Sequence, residues 1–160
     1  MGIPFAAGQR ITAADLNTAT QQGAWASYTP IWSTTGTAPS IGNGSVFGYY
    51  SKIGRTVSIR GSIYGGSTTT YGTGDYYVTL PFTAAVTGVP AGSFAHIGTW
   101  GLQQGSGAFY TAVAVILQSN PGSLIGITSG TSPFMGYGNP VNFAGAGAKL
   151  SWGITYESTS

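Results

Sequence analysis

Short runs of alternating apolar and polar residues, punctuated by glycine and proline, fill this chain from Trp25 onward. In Arg55–Tyr64, Val57, Ile59 and Ile63 fall on one side, with Thr56, Ser58, Arg60 and Ser62 on the other. That period of two is a half-buried strand. Lys149–Glu157 repeats it, with Leu150, Trp152, Ile154 and Tyr156 set against Ser151, Gly153, Thr155 and Glu157. Asp75–Phe82 groups Tyr76, Val78 and Leu80 before Pro81 ends the strand. Phe109–Gln118 is apolar at both parities, which predicts a central strand covered on both faces. Further strands are predicted over Tyr28–Trp32, Val46–Ile53, Ala95–Leu102 and Leu124–Thr128. About eight short strands with Gly-rich turns predict an all-β fold, an antiparallel β-sandwich or jelly roll. Two loops are long, Gly65–Gly74 and Ser129–Pro140.

The stretch GQRITAADLN, Gly8–Asn17, breaks this pattern. Thr12 is a good N-cap, and Asp15 three residues later completes a capping box with its carboxylate at the positive helix end. Ala13, Ala14, Leu16 and Ala19 are adequate helix formers, and Gly23 is a stop. Such a helix has about three turns, too few to be stable alone, so something must hold it. The predicted organisation is an anchoring leader with a short helix over 1–25 and a β-domain over 26–160.

Charge changes the picture. Only 5% of residues are charged, against roughly 25% in an average globular chain. With 42% hydrophobic residues and a net charge of +2, the chain is expected to fold, and its balance argues for neither nucleic acid nor an anionic membrane. A surface so poor in charge is a liability for a free monomer, so an oligomer is expected. There is no cysteine, which excludes a disulfide framework and thiolate chemistry. The start of the chain lacks the pattern of a signal peptide, and the longest apolar run, Ala112–Leu117, is too short for membrane insertion.

Catalytic raw material is scarce. His96 is the sole histidine, and Asp15, Asp75 and Glu157 are the sole acids. Asp15 is committed to the cap, Asp75 lies in a Gly-rich turn, and Glu157 is near the chain end; no triad, carboxylate pair or metal-ligand spacing follows. The expectation is a non-enzymatic protein without cofactor or metal. Lys52, Arg55 and Arg60 are close in sequence, but a turn at Ile53 and Gly54 would send them to different places. Aromatics are more plentiful, at ten Tyr, seven Phe and four Trp. Tyr71 in one long loop, and Phe134 and Tyr137 in the other, are candidate receptor or glycan contacts among small polar residues. The alternative is that these rings plug the end of the fold or lie between subunits.

The leader PFAAGQRITAADLNT and the block YTPIWSTTGTAPSIGNGSVFGYYSKIGRTVSIRGSIYGGSTTTYGTGDYYVTLP resemble small virion proteins of tailed phages, notably those of actinobacteria, the minor tail or tail-fibre proteins. Phe5, Gly8, Gln9, Thr12, Ala13, Ala14, Leu16 and Asn17 match the family's front motif, and the resemblance runs from about Pro4 to Pro81. It implies a homotrimeric β-structured virion component, assembled in the host cytoplasm and fixed by its leader to a neighbouring virion protein. Ile3, Phe5, Ile11 and Leu16 are the candidate anchoring residues. The long loops at the free end would then meet the host envelope, a surface glycan above all. Two other readings stand beside this one. A capsid decoration or head-fibre protein would bind no receptor, with ordered loops and aromatics buried between subunits. A polysaccharide depolymerase would need Asp75, Glu157 or His96 to meet in a cleft, within one chain or across subunits.

Overall fold

The computed structural model describes residues 8, 10, 12–15, 23–128, 134–140 and 143–160. Among the described residues nine strands follow one another: β1 (Ala26–Tyr28), β2 (Trp32–Thr34), β3 (Ser45–Ile53), β4 (Thr56–Tyr64), β5 (Tyr76–Thr79), β6 (Phe94–Gln103), β7 (Phe109–Leu117), β8 (Asn120–Ile127) and β9 (Lys149–Glu157). All pair antiparallel in one sheet of order β1-β3-β4-β9-β6-β7-β8-β5-β2. The all-β antiparallel fold is as expected, and its layers are the two sides of a single curled sheet.

The curl follows from the strand order. β1 and β2 are the two edges of the sheet, yet only Thr29, Pro30 and Ile31 separate them. Four Cα steps reach at most about 14 Å, so the edges must come together. In effect one extended segment, Ala26–Thr34, pairs first with β3 and then, past Pro30, with β5. Proline suits this place because it has no N–H to leave unpaired between the two ladders. Pro30 is buried over Gly48, where a Cβ would stand 2.6 Å from the proline Cγ.

The inward parity of the strands makes the core. Val57, Ile59 and Ile63 of β4 lie opposite Tyr156, Ile154 and Leu150 of β9, all buried. Across the middle run Gly61, Trp152 and Trp100 in register, with the two indoles 6.1 Å apart. Large rings need small partners at native packing density. Gly61 therefore faces Trp152, and Gly126 of β8 lies under Trp100, where a Cβ would be 2.7 Å from Cδ1. At one end Trp32, Tyr71, Tyr76 and Phe143 meet edge to face, with centroids 4.8 to 6.4 Å apart.

The expectation that β7 is covered on both faces holds only for its second half. Ala114, Val115 and Ile116 are buried, whereas Phe109 and Val113 are exposed on the outward side. The β3–β4 hairpin turns through Gly54 and Arg55, with Gly54 at φ 59°, as a two-residue turn of this hand requires. In the leader, Thr12 and Asp15 form the predicted reciprocal box. The Thr12 N–H and Oγ1 donate to Asp15 Oδ2 at 2.8 and 2.7 Å, and the Asp15 N–H donates to Thr12 Oγ1 at 3.2 Å. Ala13–Asp15 are helical. Ile3, Phe5, Ile11 and Leu16 lie outside the described residues. No helix among the described residues is long and apolar enough to cross a membrane.

Candidate functional site

The titratable groups are dispersed. His96 Nε2 lies 3.1 Å from the Ala85 carbonyl, and its ring packs edge-on to Tyr156 at 6.0 Å. Glu157 pairs with Arg55 at 3.2 Å, both side chains more than half exposed, a contact worth about 0–1 kcal/mol. Asp75 precedes β5, and three strands, β6, β7 and β8, stand between β5 and β9 in the sheet. At about 4.8 Å per strand, that places Asp75 and Glu157 on different sides of the curl, beyond the roughly 5–9.5 Å of a glycosidase pair. No group of three or more His, Cys, Asp or Glu suited to a metal occurs among the described residues. The cations are scattered too. Lys52 sits over Phe82 at 4.3 Å, and Arg60 over Trp25 at 4.5 Å.

Strand directions give the molecule two ends. β1 runs antiparallel to β3, so the leader enters beside the β3–β4 turn, where Ser51 Oγ donates to the Gly23 carbonyl at 2.5 Å. The chain leaves at the same end, with the Lys52 ammonium on the Ser160 carbonyl. The loops 35–44 and 65–75, with residues 134–140 and 143–148, lie at the opposite end.

There the first two loops zip together. Ser40 and Thr70 exchange backbone bonds at 2.9 Å in both directions, and Gly36 and Thr73 are joined at 3.0 Å. Threonine hydroxyls complete the seam: Thr73 Oγ1 accepts from the Thr37 N–H, Thr68 Oγ1 accepts from the Asn43 N–H, and Thr69 Oγ1 donates to the Ile41 carbonyl. The Gly- and Thr-rich stretches 35–44 and 65–74 are thus the two halves of one ordered polar structure. Glycine lets the backbones meet, and threonine supplies the extra donors and acceptors.

Tyr71 belongs to this loop but is not displayed by it. It is 9% exposed, packs 4.8 Å from Phe143, and its hydroxyl donates to the Gly145 carbonyl at 2.6 Å. The paired loops leave its ring no outward path, so it plugs the end of the core. Phe134 is half-buried and bridges to Ile127, Met135 is buried, and Tyr137 is exposed, its N–H bonded to the Gly74 carbonyl at 3.0 Å. Of the three loop rings, Tyr137 is the one presented to solvent.

The larger aromatic surface lies on the outward parity of the strands. Phe47 and Tyr49 of β3 and Phe109 and Val113 of β7 flank a low floor made by Ser62, Ser151, Gly153, Thr99, Gly101 and Thr111. Three adjoining hollows of ≈ 440, 330 and 350 Å³ share Ser151. The second is bounded by Phe47, Tyr49 and Arg60, and the first by Phe109 and Lys149. The alternation Val46-Phe47-Gly48-Tyr49-Tyr50 contained this signal: two of the aromatics share the parity opposite the core. Compared with family models, with curated proteins and with solved structures, the chain finds no match.

Proposed function

We propose that this chain is a non-enzymatic virion protein of a tailed phage, a homotrimer of the tail-fibre type that contacts the host envelope. The observation that carries the reading is the polarity of the chain. Gly23, where the chain enters β1, and the last residues share one end, and loops 35–44 and 65–75 share the other. An element anchored through residues 1–25 would therefore point loops 35–44 and 65–75, with residues 134–140 and 143–148, away from its attachment. The sequence resemblance supplies the class. A surface of exposed rings on a chain with 5% charged residues supplies the need for burial in an assembly. At the free end, Tyr137 and the hydroxyl-rich loop seam offer a ring and hydrogen-bonding groups to a saccharide. Weak single sites on a trimer gain through multivalency.

One observation favours the decoration reading instead. Loops 35–44 and 65–75 satisfy each other, and Tyr71 is spent on the core. Two experiments test these readings. Immunogold labelling of particles of the encoding phage places the chain on tail or head, and bare particles refute virion membership. Fluorescently labelled chain applied to host cells then separates the two readings. Binding that Tyr137→Ala weakens supports host contact, and no binding by a correctly assembled chain supports decoration.

A further inference from the structure

Six of the seven glycines within the strands fall into two groups; Gly122, near the start of β8, has open space at its Cβ position and belongs to neither. On the inward face Gly48, Gly61, Gly98 and Gly126 are forced by packing: a Cβ at 98 would be 2.7 Å from Ile154 Cβ, and at 126 the same distance from the Trp100 ring. On the outward face nothing forces them. Gly101 has no atom within 4 Å of its Cβ position, and Gly153 meets only Thr99 Oγ1 at 3.4 Å and the Ile59 carbonyl oxygen at 3.8 Å. Neither has a positive φ. Glycine weakens a strand interior, and its uses there are bulges, tight bends and places where another group approaches closely.

That face also carries both a knob and a hollow. Phe109 is 74% exposed, and the ≈ 330 Å³ hollow edged by Phe47, Tyr49 and Arg60 lies across the floor from it. Of the eleven large apolar side chains left exposed among the described residues, seven project from the outward face of β3, β4, β6 and β7. From β3 to β7 the face spans about 19 Å by 30 Å, roughly 600 Å² before side-chain relief. That is the area each copy offers to its two neighbours together, against the ~800 Å² that a partner contributes to one standard interface. The middle of the face holds no carboxylate, as suits a charge-depleted interface centre.

We propose that further copies of this chain cover this face, with Phe109 of each copy seated in the Phe47–Tyr49–Arg60 hollow of the next. Knob and hollow lie on one face, where a two-fold pair would seat both knobs at once; under the trimer reading the contact is instead head-to-tail and must close or run on as a filament. Closure at three copies rests on the trimer reading above. Gly101 and Gly153 keep the floor low enough for the neighbour to settle, and the Arg60 guanidinium, already over Trp25 and Tyr49, adds a cation–π contact to the incoming ring.

The chain has no cysteine, so Phe109→Cys combined with Tyr49→Cys creates its only thiols. Mild oxidation should give covalent species of two and three chains and none larger, while each single variant stays uncrosslinked. Phe109→Glu should raise the dissociation concentration at least tenfold with an unchanged far-UV spectrum, because the side chain supports nothing within its own chain. A trimer by light scattering that neither crosslinks nor responds to Phe109→Glu overturns this interface and leaves the trimer reading standing. A single-chain mass for the unsubstituted protein overturns both. A ladder running past three overturns the closed ring. A single chain that binds maltohexaose here, read from shifts of the Tyr49 and Phe109 resonances, gives the face to a saccharide and overturns the proposal.

Discussion

The Tyr71 hydroxyl donates to the Gly145 carbonyl at 2.6 Å, tying the 65–75 loop to the 128–148 connection through the end of the core. Tyr71→Phe keeps the ring against Phe143 and loses that bond, at a cost of about 1 kcal/mol. Tyr71→Ala also empties the ring's place, for a loss of about 3–5 kcal/mol. Urea unfolding monitored by tryptophan fluorescence measures both. Equal, negligible losses would mean that the ring is not a core plug.

Glycines on opposite faces should respond oppositely to the same change. Gly126→Ala drives a methyl into the Trp100 indole and should cost about 1–3 kcal/mol. Gly101→Ala places its methyl in open space within a strand and should stabilise the isolated fold by about 0.5–1 kcal/mol. Melting curves of the two variants in a Phe109→Glu background, where the chains stand apart, decide it, and a melting temperature raised in the first or sharply lowered in the second contradicts the assignment of faces.

The capping box makes a prediction at low pH. The Thr12 N–H, and then its hydroxyl, hold the Asp15 carboxyl below its ordinary 3.8. A depressed acid contributes stability that is present above its unfolded value and lost as pH falls through the folded one. The Thr12–Asp15 turn is therefore expected to persist at pH 3.8 and release below it. Carboxyl-carbon NMR should find the Asp15 midpoint under 3.8, and Thr12→Ala should return it towards that value. A midpoint at or above 3.8 in the unsubstituted chain rules out the box in solution.

Alkali acts through the buried phenols. Burial pushes Tyr76 and Tyr156 well above their ordinary 10.0, and Tyr28, Tyr71 and Tyr77 upward for the same leading reason. The unfolded chain loses these protons first, so their contribution is complete below pH 10 and declines as pH rises beyond it. Tyr156 also donates to the Phe82 carbonyl at 2.8 Å, a bond that only the protonated phenol can make. Ultraviolet titration of phenolate should show the share of the buried tyrosines appearing only as the fold opens. A single wave at 10 with the fold intact would contradict this burial.

Strand positions were legible because glycine punctuation and the period of two agree; Lys149–Glu157 is a strand over the range its alternation indicates. The cap was legible because it is local, its two residues three apart. What was not legible depends on partners distant in sequence. Tyr71 looks displayed until loop 65–75 is seen to zip onto loop 35–44. Both faces of Phe109–Gln118 are apolar, and nothing local says which half of the outer face is left bare. The outward rings of β3 could have been read from parity alone, but an aromatic in a strand is more readily assigned to the core.

The central claim is that this charge-poor sheet works as an assembly. Light scattering of the full chain at low and at high salt tests it most directly. Three chain masses at both salt concentrations are expected, because a contact made by apolar rings on a low floor is little affected by screening. One chain mass under both conditions would contradict the account, leaving a monomer with an exposed apolar face.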